Sequence, residues 1–125
     1  MELPAYFNLQ GKVAIITGGA TGIGRGIAEG LADAGADIVI AARRLKKCEQ
    51  ACQSIAARTG AKTLPVRCDI SNSAQIDELV DSVMAQFGQI DILVNNSGVG
   101  GSEKPILKMD EKDWNSVIDI NLKGI

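Results

Sequence analysis

Four short apolar runs, Lys12–Thr17, Asp37–Ala42, Lys62–Cys68 and Ile90–Val94, alternate with longer stretches whose apolar residues recur every three or four positions. The runs have the pattern of strands buried on both faces, and the stretches that of helices carrying one apolar stripe. The stripes read Ile23, Ile27, Leu31; then Leu45, Cys48, Cys52, Ile55; then Ile76, Val80, Val83, Phe87; and last Trp114, Ile118, Leu122. Gly35, Gly60 and Gly88 stand where the first three helices should close, and Ser71 or Asn72, and later Asp110, where helices can be capped. Pro65 cannot donate to a strand ladder, so the third run belongs at a sheet edge. Strictly alternating strands and helices joined by turns of a few residues build a parallel sheet with helices on both faces. The expected class is therefore α/β, with four strands in a doubly wound sheet.

Length and charge narrow the function. A chain of 125 residues amounts to one domain, 1–125, whose first ten residues form an N-terminal extension ahead of the first strand. Its net charge of −2 supplies no basic field for nucleic acid or anionic lipid, so neither is an expected partner. Met1-Glu2-Leu3-Pro4 has the wrong character for a signal peptide, and no run nears the roughly 18 apolar residues of a membrane span; a cytoplasmic location is expected. With 3% aromatic residues the core must be aliphatic. Three cysteines and no histidine argue against a disulfide framework or a metal site, and Cys48 and Cys52, four apart on a helix stripe, read as core.

Between the first strand and the first helix lies Thr17-Gly18-Gly19-Ala20-Thr21-Gly22-Ile23-Gly24. A helix N-terminus presents unpaired N–H groups and a partial positive charge, which suits a phosphate, and glycine lets the anion approach without a Cβ in the way. The context is that of a dinucleotide-binding, Rossmann-type turn, although a purely structural tight turn would share the pattern. The spacing TGxxxGxG resembles that of the short-chain dehydrogenase/reductase family and argues against a methyltransferase-like or flavodoxin-like domain. Cys68-Asp69-Ile70 resembles the family's aspartate after the third strand, which contacts adenine. Asn95-Asn96-Ser97-Gly98 resembles its NNAG motif, with Ser97 for alanine, and Asn121 matches the asparagine of its fourth helix. The resemblance runs from Gly11 to Gly124 and implies cofactor contacts by Gly18, Thr21, Gly22, Ile23, Gly24, Asp69, Ile70, Asn95, Asn96, Ser97 and Gly98. Asp69 could equally feed the helix cap at Ser71, and the asparagines could simply hold backbone carbonyls between loops.

Cofactor choice turns on the end of the second strand. A carboxylate there would bind a ribose 2′-hydroxyl and repel a 2′-phosphate. Here the position is Ala42, followed by Arg43 and Arg44, whose guanidinium groups can make charge-assisted bonds to phosphate. NADP(H) is expected over NAD(H), the alternative being that the arginines only begin a solvated helix face. Thr21 stands where many NADP-dependent relatives carry a basic residue.

The resemblance implies hydride transfer between nicotinamide and a ketone or secondary alcohol, with the loop Val99–Met109 similar to that of sugar-acid and polyol dehydrogenases and close to 3-oxoacyl reductases. It also implies a homodimer or tetramer for the full-length form. The family's serine and its Tyr-x-x-x-Lys pair, whose tyrosine gives the proton, are missing: the single tyrosine, Tyr6, precedes the first strand and is followed four residues later by Gln10. Asn121 is the one expected catalytic residue, marking a helix distortion that positions a relay water in the family; a fraying C-cap is the plain alternative. The chain is thus expected to be the N-terminal half of a reductase, ending before a fifth strand and inactive alone, or else a non-catalytic nucleotide-binding module.

Overall fold

A computed structural model describes residues 4–125; Met1, Glu2 and Leu3 of the N-terminal extension lie outside the described residues. The strands are β1 (Val13–Thr17), β2 (Asp37–Ala42), β3 (Thr63–Arg67) and β4 (Ile92–Val94). Between and after them come α1 (Gly22–Asp33), α2 (Leu45–Thr59), α3 (Ser73–Phe87) and α4 (Glu111–Ile118), the last running into a π-helical turn, Asp119–Lys123. All pairings are parallel in the order β3-β2-β1-β4, with Ile15 opposite Val39 on one side and Leu93 on the other. The expected doubly wound sheet is present, and Pro65 does lie in an edge strand. The first, third and fourth strands are shorter than their apolar runs, because Lys12, Lys62, Cys68, Ile90 and Asp91 serve the turns.

Alternation along the strands feeds two separate cores. Ala14, Ile16, Ile38 and Ile40 face α1 and α2, meeting Ala28, Ala32, Cys48, Cys52 and Ile55. Val13, Ile15, Val39 and Ala41 face the other way, onto Leu79 and Val83 of α3. All three cysteines are free and buried, and burial pushes the Cys52 thiol up to about 11 from an ordinary 9.0.

Two stripes differ from the sequence expectation. In α1 the residues against the sheet are Ala28 and Ala32, with Gly24 buried at the helix start, while Ile27 and Leu31 pack at the margin and Ile23 is 78% exposed. Small residues let the helix lie close to the strands, which turns the first isoleucine outward. In α3 the buried position is Leu79, 5% exposed, and not Val80, at 40%. The spacing Ile76, Leu79, Val83, Phe87 follows the helical turn as well as the expected one, and it is Leu79 that meets the strand face.

Candidate functional site

A cavity of about 310 Å³ opens at the carboxyl ends of β1, β2, β3 and β4, where open parallel sheets take their ligands. Its floor is the turn after β1, here Gly18, Ala20 and Thr21. Gly22 begins α1 with φ +58°, a conformation that disfavours side chains, and has open space where a Cβ would stand. Gly24 is also required by the protein's own packing. A Cβ there would collide with the Gly18 carbonyl oxygen and Asn96 Nδ2, so this glycine seats the helix on the protein's own loops. Thr21 precedes α1 in extended conformation without a side-chain cap, and no carboxylate stands in the helix's first turn. The positive end of the helix is therefore left uncompensated beside the cavity.

Hydrogen bonds bind this turn to the loop after β4. Thr17 Oγ1 donates to Val94 O at 3.3 Å and accepts from the N–H groups of Asn96 (3.0 Å) and Ser97 (3.1 Å). Asn96 Nδ2 donates to Gly18 O at 3.2 Å. Asn96 thus spans two loops through a backbone carbonyl, the structural use foreseen for one of the asparagines. Asn96, Ser97 and Gly98 line the cavity; Asn95 is exposed and does not.

The far wall comes from the ends of β2 and β3. Ala42, Arg43 and Arg44 stand at one side, Cys68, Asp69 and Ile70 at the other. Asp69 Oδ1 accepts from Ser71 Oγ (2.7 Å) and Ser71 N (3.0 Å). These bonds, together with the charges of Arg43 and Arg67, hold its carboxyl below the usual carboxylate range. The helix cap itself falls to Asn72, whose Oδ1 accepts from Gln75 N at 3.2 Å.

Asn121 lies within the π-helical turn, so the expected helix distortion is present where the asparagine stands. Its amide is paired at both ends with one residue: Oδ1 accepts from Val99 N at 2.9 Å and Nδ2 donates to Val99 O at 3.0 Å. The side chain fixes the loop after β4. At the same end of the chain Gly124 rests against Ile70, with no room for a Cβ.

Nine of the expected cofactor residues thus share one cavity: Gly18, Thr21, Arg43, Arg44, Asp69, Ile70, Asn96, Ser97 and Gly98. Gly22, Ile23, Gly24 and Asn95 stand outside its walls, though the first three form the opening turn of α1 beside it. Lys47, Val99 and Ile120 line it without having been expected. Two had a signal in their neighbours, since Val99 follows the NNSG motif and Ile120 precedes Asn121; Lys47 lay hidden one turn into α2.

The model of the short chain dehydrogenase family matches residues 12–125. The chain belongs to that family. It is 41% identical over 119 residues to a 2-dehydro-3-deoxy-D-gluconate 5-dehydrogenase from Dickeya dadantii, covering 95% of this chain and 46% of that protein. It is 35% identical over 118 residues to a 3-oxoacyl-(acyl-carrier-protein) reductase from Escherichia coli, covering 94% and 46%. Among solved structures, L-sorbose reductase from Gluconobacter frateurii, complexed with NADPH and L-sorbose, superposes with a TM-score of 0.89 at 37% identity, over 94% of this chain and 44% of that one. The chain therefore spans about half the length of these short chain dehydrogenases. Among the described residues no helix is long and apolar enough to cross a membrane, and no group of three or more Asp, Glu or Cys is placed to hold a metal ion.

Proposed function

We propose that residues 1–125 act as the nucleotide-binding half of an NADP(H)-dependent oxidoreductase that moves a hydride between nicotinamide and a ketone or secondary alcohol, with residues 1–10 an extension ahead of β1. The observation that carries this reading is the cavity wall after β2, where Ala42 stands in place of a carboxylate and two arginines follow. The residues present fit the group. Unpaired N–H groups at the start of α1 suit a pyrophosphate, Asp69 and Ile70 suit an adenine, and Arg43 and Arg44 suit a 2′-phosphate. When bound, the cofactor supplies the hydride. The loop after β4, held by Thr17, Asn96 and Asn121, sets the surface against which its nicotinamide end would rest. Asn121 acts there as a positioning residue.

The relatives' names favour a sugar acid, a polyol or a 3-oxoacyl compound as substrate, and the family resemblance alone favours a homo-oligomer in the full-length form. Proton transfer would come from residues outside this chain, because Tyr6 lies in a short 3-10 turn ahead of β1. That same observation favours a second reading, a nucleotide-binding module without catalysis. Fluorescence titration decides the cofactor: NADPH should bind at least about ten-fold more tightly than NADH, and Arg43→Glu should abolish that preference. A preference unchanged in Arg43→Glu removes the assignment. Turnover of a ketone by these 125 residues alone would show the chemistry to be elsewhere than proposed.

A further inference from the structure

Residues 98–104 run out of the cavity wall after β4 with little of their own to hold them. Gly98, Gly100 and Gly101 bring no side chain, and among the described residues no backbone-to-backbone hydrogen bond involves the segment. Glycine loses more conformational freedom on ordering than any other residue, so such a stretch needs outside support. It finds that support along one side of α4. At the inner end Asn121 grips Val99 through both backbone groups. In the middle, a Cβ on Gly101 would meet Val117 Cγ2 at 3.6 Å, so this glycine lies against the centre of the helix. At the outer end Lys104 Nζ donates to both carboxylate oxygens of Asp113, at 3.1 and 2.8 Å. Asp113, Val117 and Asn121 follow one another at intervals of four and so share one face. The segment is a strap laid antiparallel on that face.

The outer contact is better supported than most surface ion pairs. Asp113 belongs to the capping box of α4, its Oδ2 accepting from Asp110 N at 3.1 Å, so the carboxylate is held in place independently of Lys104. Ser102 Oγ in turn accepts from Lys104 N at 3.2 Å. A fixed geometry is what lets an ion pair at the surface count. The Lys123–Asp119 pair in the π-helical turn, at 3.7 Å, shows no such bracing. Val99 connects the strap to the site, because it lines the cavity.

We propose that Lys104 is a positioning residue that, through Asp113, holds the strap 98–104 on α4 and so keeps Val99 in the cavity wall. The proposal rests on the reading of that cavity as the dinucleotide site. Asn121 sets Val99 directly, and Lys104 takes up the slack that the glycines leave beyond it. Linkage makes the effect reciprocal: a dinucleotide resting on Val99 also slows the opening of the strap.

The experiment follows hydrogen exchange of the Val99 amide and NADPH affinity by calorimetry, both on the full chain. The variants are Lys104→Met, Lys104→Arg and Asp113→Asn, whose side chain can still accept from Asp110 N. Lys104→Met should speed Val99 exchange about three-fold and weaken NADPH by a similar factor, the scale of one braced surface ion pair. Amides of β1 should remain slow, which shows that the variant is folded. Asp113→Asn should match Lys104→Met, and Lys104→Arg should restore both readings. Salt at about 1 M should bring wild-type exchange to that of Lys104→Met, because screening then acts within about 3 Å. Unchanged Val99 exchange in Lys104→Met overturns the clamp, and faster exchange with unchanged NADPH affinity overturns its positioning role; in both cases the dinucleotide reading stands. Failure of wild type to bind NADPH or NADH removes the dinucleotide reading and the positioning role with it, whatever the exchange results.

Discussion

The sheet has one flank in which strands are covered on both faces and another in which they are not. Around β1 and β2, Ile16, Ile38, Ile40 and Val39 are sealed between α1 and α2 on one side and α3 on the other. Beyond β1, the three-residue β4 pairs with a single neighbour, Leu93 is 57% exposed, and Trp114 of α4 is 67% exposed. Ile106 and Leu107 in the intervening loop are more open still. The cofactor cavity sits across the seam, with its cationic wall on the covered flank and its asparagine loop on the open one. Stability and the proposed phosphate site therefore reside mainly in one half of the fold. The loop after β4 depends instead on a few named hydrogen bonds.

The largest test of this contrast removes the same kind of side chain from each flank. Ile40→Ala should cost about 2–5 kcal/mol, because a buried side chain leaves both lost transfer energy and a cavity. Leu93→Ala should cost no more than about 1 kcal/mol, since much of that side chain already meets water. Denaturant titration gives both values. Comparable losses in the two variants would mean that the flanks are equally packed.

The second test is alkaline. Burial is the main cause of the raised Cys52 thiol, about 11 against an ordinary 9.0, with Cys48 adding to it and Thr63 opposing. A group whose folded value is raised contributes stability that is complete below the unfolded value and lost as pH climbs through the folded one. The window here is from pH 9.0 to about 11, and the full contribution is on the order of 3 kcal/mol. Wild type should lose stability more steeply between pH 9 and 10.5 than Cys52→Ala, read as denaturation midpoint against pH. Parallel curves would place the thiol in a wetter setting than the covered flank provides.

How far the sequence foretold this arrangement depends on the kind of signal. Strand runs and glycine closures were legible because period and backbone conformation are local properties: Gly60 and Gly88 both end their helices with left-handed φ. The motif residues Gly18, Asp69, Asn96 and Ser97 converge on one cavity because topology puts every strand's carboxyl end at the same edge. Failures were tertiary. Nothing local distinguishes Leu79 from Val80 as the inward residue. The purpose of Gly24 depends on Asn96, more than seventy positions away, and Lys47 reaches the cavity only through the angle at which α2 leaves β2.

The smallest effect belongs to the open flank and concerns Asn121. Its amide closes both the N–H and the C=O of Val99, so Asn121→Ala leaves two backbone groups without a partner. Complete burial would make each missing bond cost about 1–3 kcal/mol, but the loop is only half-buried and water can replace part of the loss. A global cost near 1 kcal/mol is expected, with a larger local change: the Val99 amide should exchange its hydrogen with solvent at least ten-fold faster, while amides of β1 and β2 stay slow. The Asp119–Lys123 turn should report the same loosening, because it holds the asparagine in place. Protection of Val99 surviving the substitution would mean that the loop is held by Thr17 and Asn96 alone, and the open flank would then be better braced than its exposed side chains imply.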